Sequence, residues 1–234
     1  MVSVEPCLPG VMSLETPGNL LEAEVDAEGN VYFLSPGLPH LVVVHSDCSR
    51  SRYDLDEVRI PGGMWIDGPW GWYVSCELSG TVFRYDAEGE PVSSWEAPGI
   101  PGDVAVSGFS VFYVSKTDGS VRLLSDPEVS VTGAYSLEDG RLSPIVDGLV
   151  YSGSNGAVTV GMFDSPRPLP GSGWWVSDGL EPLLVTDSSV CRRNGDELFR
   201  WSPSHSFSKV SVSPGGRYCL LWSPGADGAI LISR

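Results

Sequence analysis

Ile60-Pro61-Gly62-Gly63-Met64-Trp65-Ile66-Asp67-Gly68 is answered forty positions later by Ile100-Pro101-Gly102-Asp103-Val104-Ala105-Val106-Ser107-Gly108. The two copies continue in step. Trp72-Tyr73-Val74-Ser75-Cys76 matches Phe112-Tyr113-Val114-Ser115-Lys116, and Gly80-Thr81-Val82-Phe83-Arg84 matches Gly119-Ser120-Val121-Arg122-Leu123. Short apolar runs separated by glycine-marked turns read as strands. A supersecondary unit repeated at this period builds a stacked or radial array.

Working outward, the same unit recurs on both sides. Upstream it reads Glu22-Ala23-Glu24-Val25, a turn at Asp26-Ala27-Glu28-Gly29, Val31-Tyr32-Phe33-Leu34-Ser35, Leu41-Val42-Val43-Val44 and, after a polar connection, Glu57-Val58-Arg59-Ile60 as a fourth strand. Downstream, a fourth unit begins at Pro144-Ile145-Val146, and prolines 166, 168 and 170 erode its outer strand. A fifth begins at Trp174-Trp175-Val176 and a sixth at Lys209-Val210-Ser211-Val212. Proline cannot donate to a ladder, which fits an edge position. The second strands fall near Phe33, Val74, Val114, Tyr151, Val185 and Leu220, 34 to 41 residues apart, and are the most apolar stretches. That is the pattern of a strand covered on both faces. No stretch carries a sustained helical period, so essentially no helix is expected.

Four-stranded antiparallel meanders repeated radially are the blades of a β-propeller; a sandwich or a linear solenoid is the alternative. The ends decide between them. The sixth unit stops one strand short at Ile232-Ser233-Arg234, while Val11-Met12-Ser13-Leu14, or else Val2-Ser3-Val4, is a strand without a unit. The reading is therefore an all-β, single-domain, six-bladed propeller whose ring is closed by an N-terminal strand in the last blade. Residues 1–18 hold the closing strand, and the blades span about 19–60, 61–100, 101–140, 141–171, 172–204 and 205–234.

The composition narrows the partners. A 234-residue chain with 41% hydrophobic content can bury a substantial core, and its net charge of −16 would repel a phosphate backbone or an anionic membrane. No apolar run approaches the roughly 20 residues of a membrane span. Five cysteines (7, 48, 76, 191 and 219) form an odd set without CxxC spacing, which favours reduced thiols in the cytoplasm. The N-terminus lacks the basic and apolar regions of a signal peptide.

Three stretches carry a resemblance to the WD-repeat, NHL and lactonase-like propeller superfamily. Val210-Ser211-Val212-Ser213-Pro214-Gly215-Gly216-Arg217-Tyr218 is similar to the strand, Ser-Pro-Asp-Gly, strand line of such blades. Ser115-Lys116-Thr117-Asp118-Gly119-Ser120-Val121-Arg122-Leu123-Leu124 resembles their B–C hairpin, and Phe83-Arg84-Tyr85-Asp86-Ala87-Glu88-Gly89-Glu90-Pro91-Val92 their C–D turn. The resemblance implies a propeller, with either a binding or a hydrolytic role. A metal-dependent lactonase of this architecture would set carboxylates and an Asn around the channel mouth as oxygen ligands for calcium or a similar ion. Glu22, Asp103 and Asn19 are the candidates by position, although a solvated place for Glu22 and Asp103 is the simpler expectation.

Asp26, Asp67, Asp147 and Asp178 sit in glycine turns, where such a carboxylate bonds its own backbone. The three histidines, 40, 45 and 205, form no triad, and His45 with Cys48 is two ligands short of a tetrahedral site. Cys76 and Cys219 fall in central strands as inert core. Among eight tryptophans, Trp65, Trp72 and Trp222 read as packing, whereas Trp70 stands at a turn tip and Trp174-Trp175 cannot both face one side. Trp70, Trp174 and Trp175 are the partner-binding candidates.

With no convergent catalytic set and no cofactor motif, the expectation is a non-enzymatic protein-interaction scaffold. It would be a subunit of a larger cytoplasmic assembly, with protein partners and no direct contact to nucleic acid or membrane. The alternatives are a metal-dependent lactonase or hydrolase, and a carbohydrate or small-ligand binder using channel-mouth aromatics such as Trp174. The Asp118-Gly119 turn reads as a tip that tolerates insertion.

Overall fold

A computed structural model of the chain describes residues 10–16, 19–36, 39–132, 137, 140–161, 165–171, 173–202, 207–225 and 228–234. Residues 2–4, Cys7 and His205 lie outside the described residues. The first described strand is β1 (Val11–Glu15). Blade 1 is β2 (Glu22–Val25), β3 (Val31–Ser35), β4 (His40–Val44) and β5 (Arg50–Asp54); blade 2 is β6 (Pro61–Ile66), β7 (Trp72–Cys76), β8 (Thr81–Tyr85) and β9 (Pro91–Glu96). Blade 3 follows as β10 (Pro101–Ser107), β11 (Ser110–Ser115), β12 (Ser120–Leu123) and β13 (Asp126–Ser130), and blade 4 as β14 (Arg141–Ile145), β15 (Gly148–Gly153), β16 (Gly156–Gly161) and β17 (Arg167–Pro168). Blade 5 is β18 (Trp174–Ser177), β19 (Pro182–Val185), β20 (Ser189–Arg192) and β21 (Glu197–Arg200). Blade 6 has β22 (Lys209–Val212), β23 (Tyr218–Trp222) and β24 (Gly228–Ser233), completed by β1.

These are six four-stranded antiparallel sheets in a ring, a six-bladed β-propeller. β1 pairs with β24 along its length, from Val11 opposite Ile232 to Glu15 opposite Gly228. Strands from the two ends of the chain thus share the last blade. Among the described residues the single helical element is one 3-10 turn, Gly68–Trp70, and no helix is long and apolar enough to cross a membrane.

Burial follows strand position. The second strands β3, β7 and β15 are buried throughout, whereas the outermost strands β5, β9 and β13 alternate between exposed and half-buried. The apolar core is divided among the blade interfaces. Phe33 packs with Trp222 and Leu231 between blades 1 and 6, Leu34 with Met64 and Val74 between blades 1 and 2, and Val114 with Leu149 and Tyr151 between blades 3 and 4.

The repeated Pro-Gly motif has a steric reason. A Cβ on Gly62 would stand 2.3 Å from the Pro101 carbonyl oxygen, and one on Gly63 would stand 2.7 Å from Asp103 Cα. Glycine there lets β6 lie directly against β10. Ser75 Oγ then donates across the interface to the Gly102 carbonyl at 2.5 Å.

Two strand boundaries differ from expectation. The outer strand of blade 1 is the polar β5, while Val58, from the stretch expected to supply that strand, is buried with Leu55 in the connection between blades 1 and 2. An outermost strand faces solvent, so apolarity is a poor guide to it. In blade 4 the first strand begins at Arg141, three residues before Pro144. That shift decides the chemistry of the channel.

Candidate functional site

First strands line the central channel, and three of them bring four charged side chains together. Glu22 and Glu24 lie on β2, Asp103 on β10 and Arg141 at the start of β14. Gly140 lies so close to the Tyr151 ring that a Cβ would approach it to 2.1 Å. The Tyr151 hydroxyl accepts from Leu137 N at 3.1 Å and donates to the Gly119 carbonyl. The chain therefore enters β14 flat against the Tyr151 ring, whose hydroxyl reaches blade 3, with Arg141 as its first residue.

Arg141 Nη2 donates to Glu22 Oε1 and, at 3.0 Å, to Glu24 Oε1. Its Nε stands 4.0 Å from Asp103 Oδ2. The other oxygens of Glu24 and Asp103 are engaged as well, whereas among the described residues Glu22 bonds through Oε1 alone. Ser211 Oγ donates to Glu24 Oε2, Leu142 N to Asp103 Oδ2 at 2.7 Å and Val104 N to Asp103 Oδ1 at 3.0 Å. The guanidinium also lies 5.5 Å from the centre of the Trp222 ring, within cation–π range. The Arg141 side chain is 14% exposed, and those of Glu22 and Asp103 are each 8% exposed.

Solvation and charge oppose one another here. Burial pushes the Glu22 carboxyl up to about 8; Arg141 opposes the shift, and Asp103 and Glu24 add to it. Burial also raises Glu24, against Arg141 and the Ser211 hydroxyl, and raises Asp103, against Arg141 and the amides of Leu142 and Val104. For Arg141, burial works against the charge, but the three carboxylates outweigh it and hold the guanidinium above its ordinary range. The cluster is a buried knot in which one guanidinium faces three carboxyls and offsets their desolvation only in part.

The expected solvated positions of Glu22 and Asp103 are thus corrected: both are buried, gathered around Arg141, whose charge offsets part of their desolvation. Asn19 is exposed, with φ of 48°. As a divalent-cation site the set does not fit, since Arg141 already sets a positive charge among the carboxyls and the oxygens of Glu24 and Asp103 are taken by Arg141, Ser211 and backbone amides. Among the described residues no group of His, Cys, Asp and Glu is arranged to hold a metal ion. His45 and Cys48 belong to a turn, where Cys48 N donates to the His45 carbonyl at 2.8 Å. Arg141 was missed in the sequence because the strand was placed to start at Pro144. Its equivalence to Glu22 and Asp103, near the beginning of a first strand, was the available signal.

A cavity of about 430 Å³ adjoins the knot, with Glu24, Arg141 and Ser211 on one wall and Trp174, Trp201 and Lys209 on another. Lys209 Nζ lies 4.7 Å over the Trp174 ring, and Trp201 Nε1 donates to the Asp187 carbonyl at 3.1 Å. Successive strand residues point to opposite sides, so Trp175 turns away and is buried against Val150 and Leu169. Trp175 therefore presents no surface to a partner, which corrects its place among the candidates. Trp70 stands 69% exposed at the β6–β7 turn.

Asp26 and Asp178 anchor turns. Asp26 Oδ1 accepts from Glu28 N at 3.0 Å and Asn30 N at 2.8 Å; Asp178 Oδ1 accepts from Leu180 N at 3.0 Å and Glu181 N at 3.1 Å. Cys76 and Cys219 are buried.

No protein-family model and no curated protein matches the chain by sequence. Solved structures do match by shape. A gluconolactonase from Xanthomonas campestris aligns with a TM-score of 0.64 at 12% identity, over 95% of this chain and 89% of that one. The inactive H270A virginiamycin B lyase from Staphylococcus aureus gives 0.59 at 10%, over 94% and 83%. The Pan2 WD40 domain from Neurospora crassa gives 0.62 at 14%, over 92% and 75%. At these identities the likeness is one of fold, shared by enzymes and WD40 domains alike.

Proposed function

We propose that this chain is a non-catalytic propeller that binds protein partners as a subunit of a larger cytoplasmic assembly. One observation carries the reading: five of the six oxygens of the three channel carboxyls are taken by Arg141, Ser211 and backbone amides. A general base needs an accessible lone pair, and a catalytic cation needs open oxygen ligands. Here a single oxygen, Glu22 Oε2, is left over, too few to ligate an ion, and the Arg141 charge stands beside it. The role of the knot is to tie blades 1, 3, 4 and 6 together across the channel. Among the described residues the exposed Cys48 thiol forms no disulfide, which suits a reducing compartment.

The test is a pair of measurements on the purified chain. Hydrolysis of simple lactones and esters should stay at background with calcium, magnesium, manganese or zinc, and none of these ions should raise the melting temperature. Turnover that requires an ion, and is lost in Asp103→Asn, would establish the hydrolase instead. A second reading is favoured by the cavity beside the knot, whose volume falls in the range of small-ligand pockets, roughly 300–1,000 Å³. In that reading a carbohydrate or similar small molecule stacks on Trp174. Quenching of tryptophan fluorescence by a sugar panel, lost in Trp174→Ala, is the measurement for it.

A further inference from the structure

The turns joining first to second strands all open on the same end of the ring, because every blade is an up-and-down meander. Four consecutive blades place a large apolar side chain in that turn. Trp70 in blade 2 is 69% exposed, Phe109 in blade 3 is fully exposed, Val146 in blade 4 is 63% exposed and Leu180 in blade 5 is 60% exposed. Single exposed apolar residues are ordinary, but a repeat position filled this way in four neighbours is an arc. The turns of Leu180 and Trp70 are held in place. Asp178 fixes the turn of Leu180 through the two amides described above, and Gly215 N of blade 6 donates to the Asp178 carbonyl at 2.7 Å. Gly71 beside Trp70 packs against the next turn of its own blade, where a Cβ would stand 2.7 Å from Asp86 Cα.

The charges around the arc are predominantly acidic. Glu88 and Glu90 follow Asp86 in that adjoining turn, Asp126 begins β13 beside the blade of Phe109, and Asp147 follows Val146; all four are exposed. Asp196 and Arg193, on the same end of blade 5, offset each other. An anionic rim around exposed apolar side chains complements a segment that is basic and amphipathic, with the apolar side chains supplying contact area and the rim choosing the sign.

We propose that the end of the ring bearing Trp70, Phe109, Val146 and Leu180 is a docking face for a basic amphipathic segment of a partner protein. The inference rests on the protein-binding reading above. The opposite end carries a smaller exposed set, Ile60, Leu78 and Ile100, which serves as the internal comparison.

The experiment titrates the intact chain with a synthetic Leu/Lys amphipathic helical peptide, using peptides of the same length with Glu for Lys and with the Leu positions changed to Ser as controls. Binding is read by fluorescence anisotropy, and the footprint by hydrogen exchange. The Leu/Lys peptide should bind at least tenfold more tightly than either control and weaken with salt. The double variant Trp70→Ser/Phe109→Ser, with an unchanged melting temperature because both side chains are exposed, should lose at least tenfold. The double variant Leu78→Ser/Ile100→Ser should bind normally. Equal binding by the Trp70/Phe109 variant, or a footprint on the opposite end, would overturn this face while leaving a protein-binding role intact. Equal binding of the Leu/Lys peptide and its Ser control would overturn the apolar contact itself. Ion-dependent lactone turnover would instead overturn the protein-binding reading on which the face depends.

Discussion

Removing the Arg141 guanidinium would leave Glu22, Glu24 and Asp103 buried without their cation. Breaking a buried pair from one side costs about 3–5 kcal/mol, so Arg141→Ala should lower the unfolding free energy by that order in urea titration at neutral pH. Acidification should narrow the deficit, since protonated carboxyls no longer need the cation. Wild-type stability in that variant would mean that water, not Arg141, solvates the acids. Glu22→Gln tests the same knot through pH. The Glu22 carboxyl holds its proton to about 8 in the folded chain, against an ordinary value of 4.5. Between those limits the folded state binds more protons than the unfolded one, so stability falls as pH rises through the window and levels off above it. The glutamine variant should show a flatter melting temperature against pH from about 5 to 8, with the remaining slope due to Glu24 and Asp103. Parallel curves would remove Glu22 as the source. Glu22 and Asp103 could be singled out in the sequence because strand periodicity placed them near the start of first strands. Arg141 could not, because Pro144 drew the strand boundary past it.

Among the elements, second strands were legible because both of their faces meet a neighbouring blade and their sequence is apolar throughout. Val114, on β11, is buried in the interface of blades 3 and 4. A carboxylate there would have no partner, and Val114→Asp should cost about 3 kcal/mol or more, measured by chemical denaturation. Outer strands were less legible, as β5 shows, since their residues are polar and their pairing comes from the neighbouring strand. Turns differ again. The Asp118-Gly119 turn is no free tip: Asp118 accepts from Ser120 N at 3.1 Å and from Arg122 Nη2 at 2.7 Å, and the Gly119 carbonyl receives the Tyr151 hydroxyl from blade 4. A Gly-Ser insertion there should lower the melting temperature by several degrees. The same insertion between Ser154 and Asn155, both exposed, should approach the small cost of loop lengthening, about 0.6 kcal/mol per doubling. Equal losses at the two sites would show that the contact with blade 4 contributes nothing.

At the scale of the whole ring, stability depends on the seam in blade 6. β1 covers the edge of β24, and Leu14 packs with Phe33 and Leu231 in the interface of blades 1 and 6. Deleting residues 1–15 would bare an apolar strand edge, which pairs readily with other chains. The truncated chain should aggregate, or melt well below the full chain, in light scattering and calorimetry. Loss of stability should also exceed that from trimming β17, a two-residue edge strand that carries little of the ladder.

What the sequence determined by itself was local and repetitive: the strand pattern, the blade number, the unmatched N-terminal strand, and Trp70 at a turn tip. Each follows from side-chain alternation and turn chemistry within a single blade. Only the tertiary structure decided what converges. Glu22, Asp103 and Arg141 are separated by 81 and 38 positions in the chain, and they meet because ring closure brings first strands around one axis. Trp70, Phe109, Val146 and Leu180 likewise form an arc because equivalent turns share an end of the ring. Contacts of this kind depend on the angle between blades, which no single blade's sequence encodes.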